Sequence, residues 1–99
     1  MGYLIEQTDA FLKWHAGLSD LTARVAIARR LERFAAGNPG DTKPVGGGVS
    51  ELRIDVGPGY RVYYAMRGKT LIVLLCGGDK RTQKTDIRRA QRLALETRT

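Results

Sequence analysis

A single glycine- and proline-rich run, GNPGDTKPVGGGVS (Gly37–Ser50), divides this chain into two halves with different hydrophobic periods. Five glycines and two prolines in fourteen residues exclude both a helix and a central strand there. Before the run, apolar residues recur at helical spacing; after it, they alternate as in strands. The run itself reads as a long connecting loop, either functional or a flexible connector. It is not a phosphate loop of the GxxxxGK[ST] kind, because no Gly-Lys-Ser/Thr is present.

In the first half, Tyr3-Leu4-Ile5-Glu6 is short and β-prone, and predicts a first strand. Thr8 supplies an N-cap hydroxyl and Asp9 a first-turn acid. Phe11, Trp14, His15 and Leu18 then recur at helical spacing up to a stop at Gly17. Ser19-Asp20 opens a second helix. Leu21, Val25, Ala28 and Ala35 form its apolar stripe, widened by Ile27, Leu31 and Phe34. Arg29, Arg30 and Arg33 fall on the other side, and Gly37 stops the helix after Ala36. Two helices joined by so short a link make an αα-hairpin.

In the second half, Glu51–Val56 alternates strictly, with Leu52, Ile54 and Val56 on one side and Glu51, Arg53 and Asp55 on the other. Gly57-Pro58-Gly59 turns the chain into Tyr60–Ala65, where Arg61 and Tyr63 share one face and Val62 and Tyr64 the other. After Arg67-Gly68-Lys69, the segment from Thr70 to Cys76 is apolar on both faces, as an interior strand requires. A basic helix follows from Thr82 or Thr85, with a thin apolar edge of Ile87, Ala90 and Ala94. The expected order is β-α-α-β-β-β-α. This is one α+β domain over residues 1–99: an antiparallel meander sheet, a helical hairpin packed on one face, and a short basic C-terminal helix. A chain of 99 residues supports one modest core.

Charge narrows the function classes. Seventeen Lys and Arg against ten Asp and Glu leave +7, which predicts a polyanionic partner. One cysteine excludes an internal disulfide framework, and one His with one Cys cannot assemble the usual nitrogen and sulfur zinc sets, so no metal or other cofactor is expected. Cys76 closes an apolar strand and reads as a packed thiol. His15, on the apolar side of a short helix, reads as a packed imidazole. Met1–Gln7 lacks a secretory pattern and Leu71–Cys76 is far too short to cross a bilayer. A cytoplasmic protein with no membrane partner is expected.

The cations converge. Strands in a meander lie about 4.8 Å apart, so Arg53 and Arg61 on facing strands can point to one side, with Tyr63 two residues on. Lys80 and Arg81 leave the end of the last strand beside them. Arg forks match phosphate oxygens and Tyr rings can stack on unpaired bases. Gly77-Gly78 would let backbone N–H groups approach an anion. The other reading of the same pattern is a solvated strand face in which Arg53, between Glu51 and Asp55, satisfies cross-strand ion pairs.

The run ELRIDVGPGYRVYYAMRGKTLIVLLCGGDKRTQKTDIRRAQRLA, with the GDTKPVGGGVSELRI segment before it, resembles the toxins of the RelE/ParE superfamily, and within it the phage-derived HigB-like "addiction module killer protein" branch. The resemblance implies a type II toxin neutralised by a cognate antitoxin, typically a helix-turn-helix DNA-binding protein. It implies metal-independent cleavage of mRNA on the ribosome through the RNA 2′-OH. By motif position, Arg61 matches the family's phosphate-binding arginine. Lys80 and Arg81 fall where related toxins keep catalytic cations, and Tyr63 completes the catalytic set. Arg53, Lys43 and Lys84 are assigned to RNA binding. One departure stands out: RelE has a tyrosine in the helix after the basic segment, whereas Asp86-Ile87 occupies that place here. The base therefore falls to Tyr63, to Lys80, or to a ribosomal or RNA group. A ParE-like poison of DNA gyrase and an inactive, antitoxin-binding member are the alternatives on the same fold.

Overall fold

The computed structural model describes residues 2–97. The elements are β1 (Leu4–Gln7), α1 (Asp9–Ala16), α2 (Leu21–Ala35), β2 (Thr42–Gly46), β3 (Val49–Ile54), β4 (Tyr60–Arg67), β5 (Leu71–Asp79), a 3₁₀ turn (Lys80–Thr82) and α3 (Gln83–Glu96). The sheet is five-stranded in the order β1-β5-β4-β3-β2. β2 to β5 form an antiparallel meander, and β1 lies parallel to β5 at the far edge.

The glycine-rich run is thus not all loop. Thr42–Gly46 adds a fifth strand where four were expected. Two features allow it. β2 is an edge strand, where Pro44 costs no interior ladder bond. Gly46, Gly47 and Gly48 take φ of +94°, +64° and +75°, so the chain reverses in a turn closed to other residues.

The helix ends follow the capping residues. Thr8 Oγ1 accepts from Phe11 N at 3.1 Å and donates to Leu75 O at 2.6 Å, tying the start of α1 to β5. Asp20 caps α2 through Ala23 N. Arg67 Nη2 donates to Ala94 O at 2.7 Å and so closes the C-terminal end of α3 from β4.

Helices cover both faces of the sheet, so the single core expected from length divides in two. On one face, Phe11, Ala23, Ile27 and Phe34 of the hairpin pack on Leu52, Ile54, Val62, Tyr64, Ile72 and Leu74. On the other, Ala90 and Ala94 of α3, with Ile87 and Leu93, pack on Val49, Tyr63, Ala65, Val73, Leu75 and Cys76. A bulge between Tyr63 and Tyr64 makes Leu75 the extra residue of β5, which lets Leu75 and Cys76 both serve the α3 side. Among the described residues no helix is long and apolar enough to cross a membrane.

Candidate nucleic-acid interface

Directly paired residues of an antiparallel sheet share a face. The register therefore builds two rows on the α3 side: Lys43, Glu51, Tyr63 and Cys76, then Arg53, Arg61 and Gly78. The opposition of Arg53 and Arg61 read from the sequence is present. The open cationic face expected around them is not, because α3 starts directly above it.

Glu51 is the centre of the arrangement and is fully buried. Its Oε1 lies 3.2 Å from Arg61 Nε and accepts from Gln83 Nε2 at 2.6 Å. Its Oε2 lies 3.9 Å from Arg53 Nε. Arg53 also reaches Asp41 Oδ1 at 3.2 Å. The cross-strand ion pairs considered in the sequence are therefore real, but they leave the cations only partly satisfied. Arg61 Nη1 donates to Gly59 O at 3.3 Å. Nη2 of Arg61 is left without a hydrogen bond among the described residues.

Two expectations are corrected here. Arg61 is not an exposed strand cation: its side chain is only 11% accessible, and it neutralises a carboxylate with no access to water. Tyr63 does not stand on an open surface. It is fully buried in the α3-side core, and its hydroxyl has no hydrogen-bond partner among the described residues. Burial first, then the nearby Glu51 and Asp86 carboxylates, push its phenol well above the ordinary range, so it keeps its proton. A buried, protonated phenol can neither stack on a base nor take a proton from a ligand on the surface.

Gly77 and Gly78 are also explained differently. A Cβ on Gly77 would run into the Trp14 ring, and one on Gly78 into the Asp86 carboxylate. Both glycines make room for side chains packing from opposite faces rather than for an anion. Thr82 Oγ1 donates to Asp86, holding that carboxylate over Gly78.

Lys43, Lys80, Arg81 and Lys84 are exposed. Lys43 lies on the edge strand opposite Glu51, and Lys84 on the first turn of α3 beside Gln83. Lys80 and Arg81 form the 3₁₀ turn. A Cβ on Gly59 would lie 3.5 Å from Arg61 Nη1 and 3.8 Å from Lys80 Cβ, so Gly59 borders both residues. Arg81 turns back on Asp79, donating its backbone N at 2.8 Å and Nη2 at 3.0 Å. The hydrogen bond from the Arg81 guanidinium holds the Asp79 carboxyl below its usual value. His15 is packed, its ring stacked on Phe11 and its Nε2 3.0 Å from Arg24 O. Burial pushes the Cys76 thiol up to about 11, which leaves it an inert core group.

The arrangement is a cationic shelf at the β4–β5 end of the sheet: Arg53 and Arg61 on paired strands, Lys80 and Arg81 in the turn that follows β5. It can hold an anion and stabilise charge developing on it.

Residues 15–96 match the profile of the phage-derived Gp49-like proteins (DUF891). The chain belongs to that family. An uncharacterised protein of Haemophilus influenzae is 48% identical over 92 residues, spanning 93% of both chains. Among solved structures, the fold is similar to that of a double mutant of the Escherichia coli toxin RelE in the free state. The TM-score is 0.73 over 93% of this chain and 98% of that one, at 18% identity, so this likeness is one of fold.

In this Gp49-like chain, Glu51, Gln83 and Asp86 are the residues that sequence reasoning missed. Alternation placed Glu51 on the same side as Arg53, so its face was legible. Its burial was not, because that depends on where α3 lands.

Proposed function

We propose that this protein is the toxin of a toxin–antitoxin pair and cleaves mRNA on the ribosome, as a HigB-like member of the RelE/ParE superfamily. The observation that carries the reading is the Arg61 fork, paired with buried Glu51 and with no hydrogen bond from Nη2 among the described residues, at the end of the sheet where Lys80 and Arg81 follow β5, on a fold similar to that of the toxin RelE. A phosphodiester seated there places its non-bridging oxygens against Arg61 and Lys80. As the RNA 2′-OH attacks the adjacent phosphorus, the added negative charge of the phosphorane is stabilised by those two cations and by Arg81. Arg53, Lys43 and Lys84 extend the contact along the strand. With Tyr63 buried and the Lys80 ammonium at the phosphate, the 2′-OH proton passes to a group of the ribosome–RNA complex; as the P–O5′ bond breaks, Lys80 protonates the departing 5′-oxygen and a 2′,3′-cyclic phosphate remains. The cognate antitoxin, expected to be a helix-turn-helix protein, neutralises the toxin by binding it.

Primer extension on a reporter mRNA in a purified translation system tests this, with wild type and Lys80→Ala compared with and without ribosomes. New 5′ ends at A-site codons, lost in the variant and without ribosomes, are expected. Intact mRNA in the presence of folded protein would sink the reading. The burial of Tyr63 favours one second reading, a ParE-like gyrase poison, which a supercoiled-DNA cleavage assay with gyrase would reveal.

A further inference from the structure

A second cationic feature lies away from the shelf. A cavity of about 660 Å³ opens between α2 and the start of the β2–β3 hairpin. Arg29, Arg30, Arg33 and Arg53 line it, against only Asp41 and Asp55. Arg30/Arg33 and Arg29/Arg33 are three and four residues apart on one helix, a spacing at which like charges oppose helix formation. The chain nevertheless builds around them. Arg30 Nη2 donates to Pro39 O at 3.2 Å. Gly40 has φ +70°, and a Cβ on it would strike the Arg30 guanidinium at 2.5–2.8 Å. Loss of hydration on burial, then the proximity of Arg33, lower the Arg30 pKa from its usual value.

Arg53 belongs to both places: it lines this groove, and its Nε lies 3.9 Å from Glu51, the carboxylate that holds Arg61. Arg53, paired with Asp41 inside the groove at 3.2 Å, thus links the groove to the carboxylate that pairs with Arg61. An acidic peptide would also suit four arginines. Continuity with a site read as holding a phosphodiester favours the phosphates of the same strand, which bidentate arginine forks match.

We propose that the α2 groove binds the phosphate backbone of the RNA strand whose scissile phosphate sits at Arg61 and Lys80, with Arg29, Arg30 and Arg33 as phosphate clamps and Arg53 shared between groove and shelf. This rests on the proposed RNA ligand of the shelf, and it assigns α2 the task of holding the flanking strand.

The test is fluorescence anisotropy of a labelled, fully 2′-O-methylated oligouridylate, which cannot be cleaved, across a salt series. Wild type, Arg29→Gln/Arg33→Gln and the control Lys13→Gln/Lys69→Gln are compared. The control removes the same charge from α1 and the β4–β5 turn, and unfolding midpoints verify that each variant is folded. Two lost phosphate contacts should reduce the slope of log K against log salt by about 1.4, at roughly 0.7 per phosphate for single strands. The control should keep the wild-type slope. Equal loss in both double variants, or a wild-type slope in the groove variant, overturns the proposal. So does a groove variant that loses binding to a polyglutamate peptide but not to the oligonucleotide. A groove-specific loss of slope alongside intact mRNA in the primer-extension assay would sustain the groove and reject the nuclease reading.

Discussion

The two faces of the sheet are built to different rules. The helical-hairpin face is large and apolar. Phe34 meets Tyr64 edge-on at 4.8 Å, Trp14 meets Tyr60 at 6.2 Å, and among the described residues no buried residue of this face is charged. The α3 face has Ala90 and Ala94 as its buried helix contacts, edged by Ile87 and Leu93, and a carboxylate, two guanidinium groups and a phenol beside them. The first face supplies cohesion through area removed from water. The second brings α3 close enough to bury Glu51 and so clamp Arg61. A thin, small-residue interface is what lets polar groups lie at its margin with one end paired and the other toward the surface.

Variants can break this contrast. The largest loss is expected from Phe11→Ala on the hairpin face, about 3–5 kcal/mol by denaturant unfolding, because a fully buried ring leaves a cavity. A cost of about 1 kcal/mol or less would show that this face is not the cohesive one.

On the α3 face, Arg61→Ala should cost about 3 kcal/mol, because it leaves buried Glu51 with only the more distant Arg53, at 3.9 Å, as counter-charge. Glu51→Ala should cost a similar amount, and the double variant clearly less than the sum. Additive losses would dissolve the coupling on which the shelf depends. In the primer-extension assay, Glu51→Ala should depress the proposed RNA cleavage more than Lys43→Ala, since it releases the Arg61 fork.

The paired glycines sharpen the comparison within one strand. Gly77→Ala should destabilise by about 1–3 kcal/mol, since its Cβ meets a rigid indole. Gly78→Ala should cost less, because the Asp86 side chain can swing away. The reverse order would show the α3 face to be the stiffer one.

The smallest effect is a pH dependence. The Cys76 thiol is raised from 9.0 to about 11 by burial, so the folded state holds its proton where the unfolded chain has lost it. Its contribution is fully present below pH 9 and is lost as pH rises through about 11. Stability should fall across that window, on the order of 1–2 kcal/mol, and Cys76→Ala should flatten the slope. An unchanged slope in that variant would assign the fall to other groups.

Much of this was legible from local pattern. Thr8 and Asp20 announced the helix starts and Gly37 the end of α2. The alternation of Glu51–Val56 placed each residue on its side of the sheet, and the two-sided apolarity of Thr70–Cys76 marked an interior strand. Those signals are carried by periods of two or 3.6 residues and by caps, all within a few positions of one another. The edge strand Thr42–Gly46 was masked, because turn-forming glycines and a proline outweighed its short β pattern, and pairing with β3 decides the matter.

The chain's own order of residues thus determined the element sequence apart from the edge strand β2, the facing of Arg53 and Arg61, and the basic balance. Tertiary structure alone decided that α3 covers Glu51 and Tyr63, that Arg61 is a buried ion-pair partner, that Gly77 and Gly78 yield space to Trp14 and Asp86, and that three arginines of α2 meet Arg53 across a groove. The reason is physical. Burial and pairing depend on which distant segment lands on a residue, and α3 reaches Glu51 through Gln83, 32 positions along the chain.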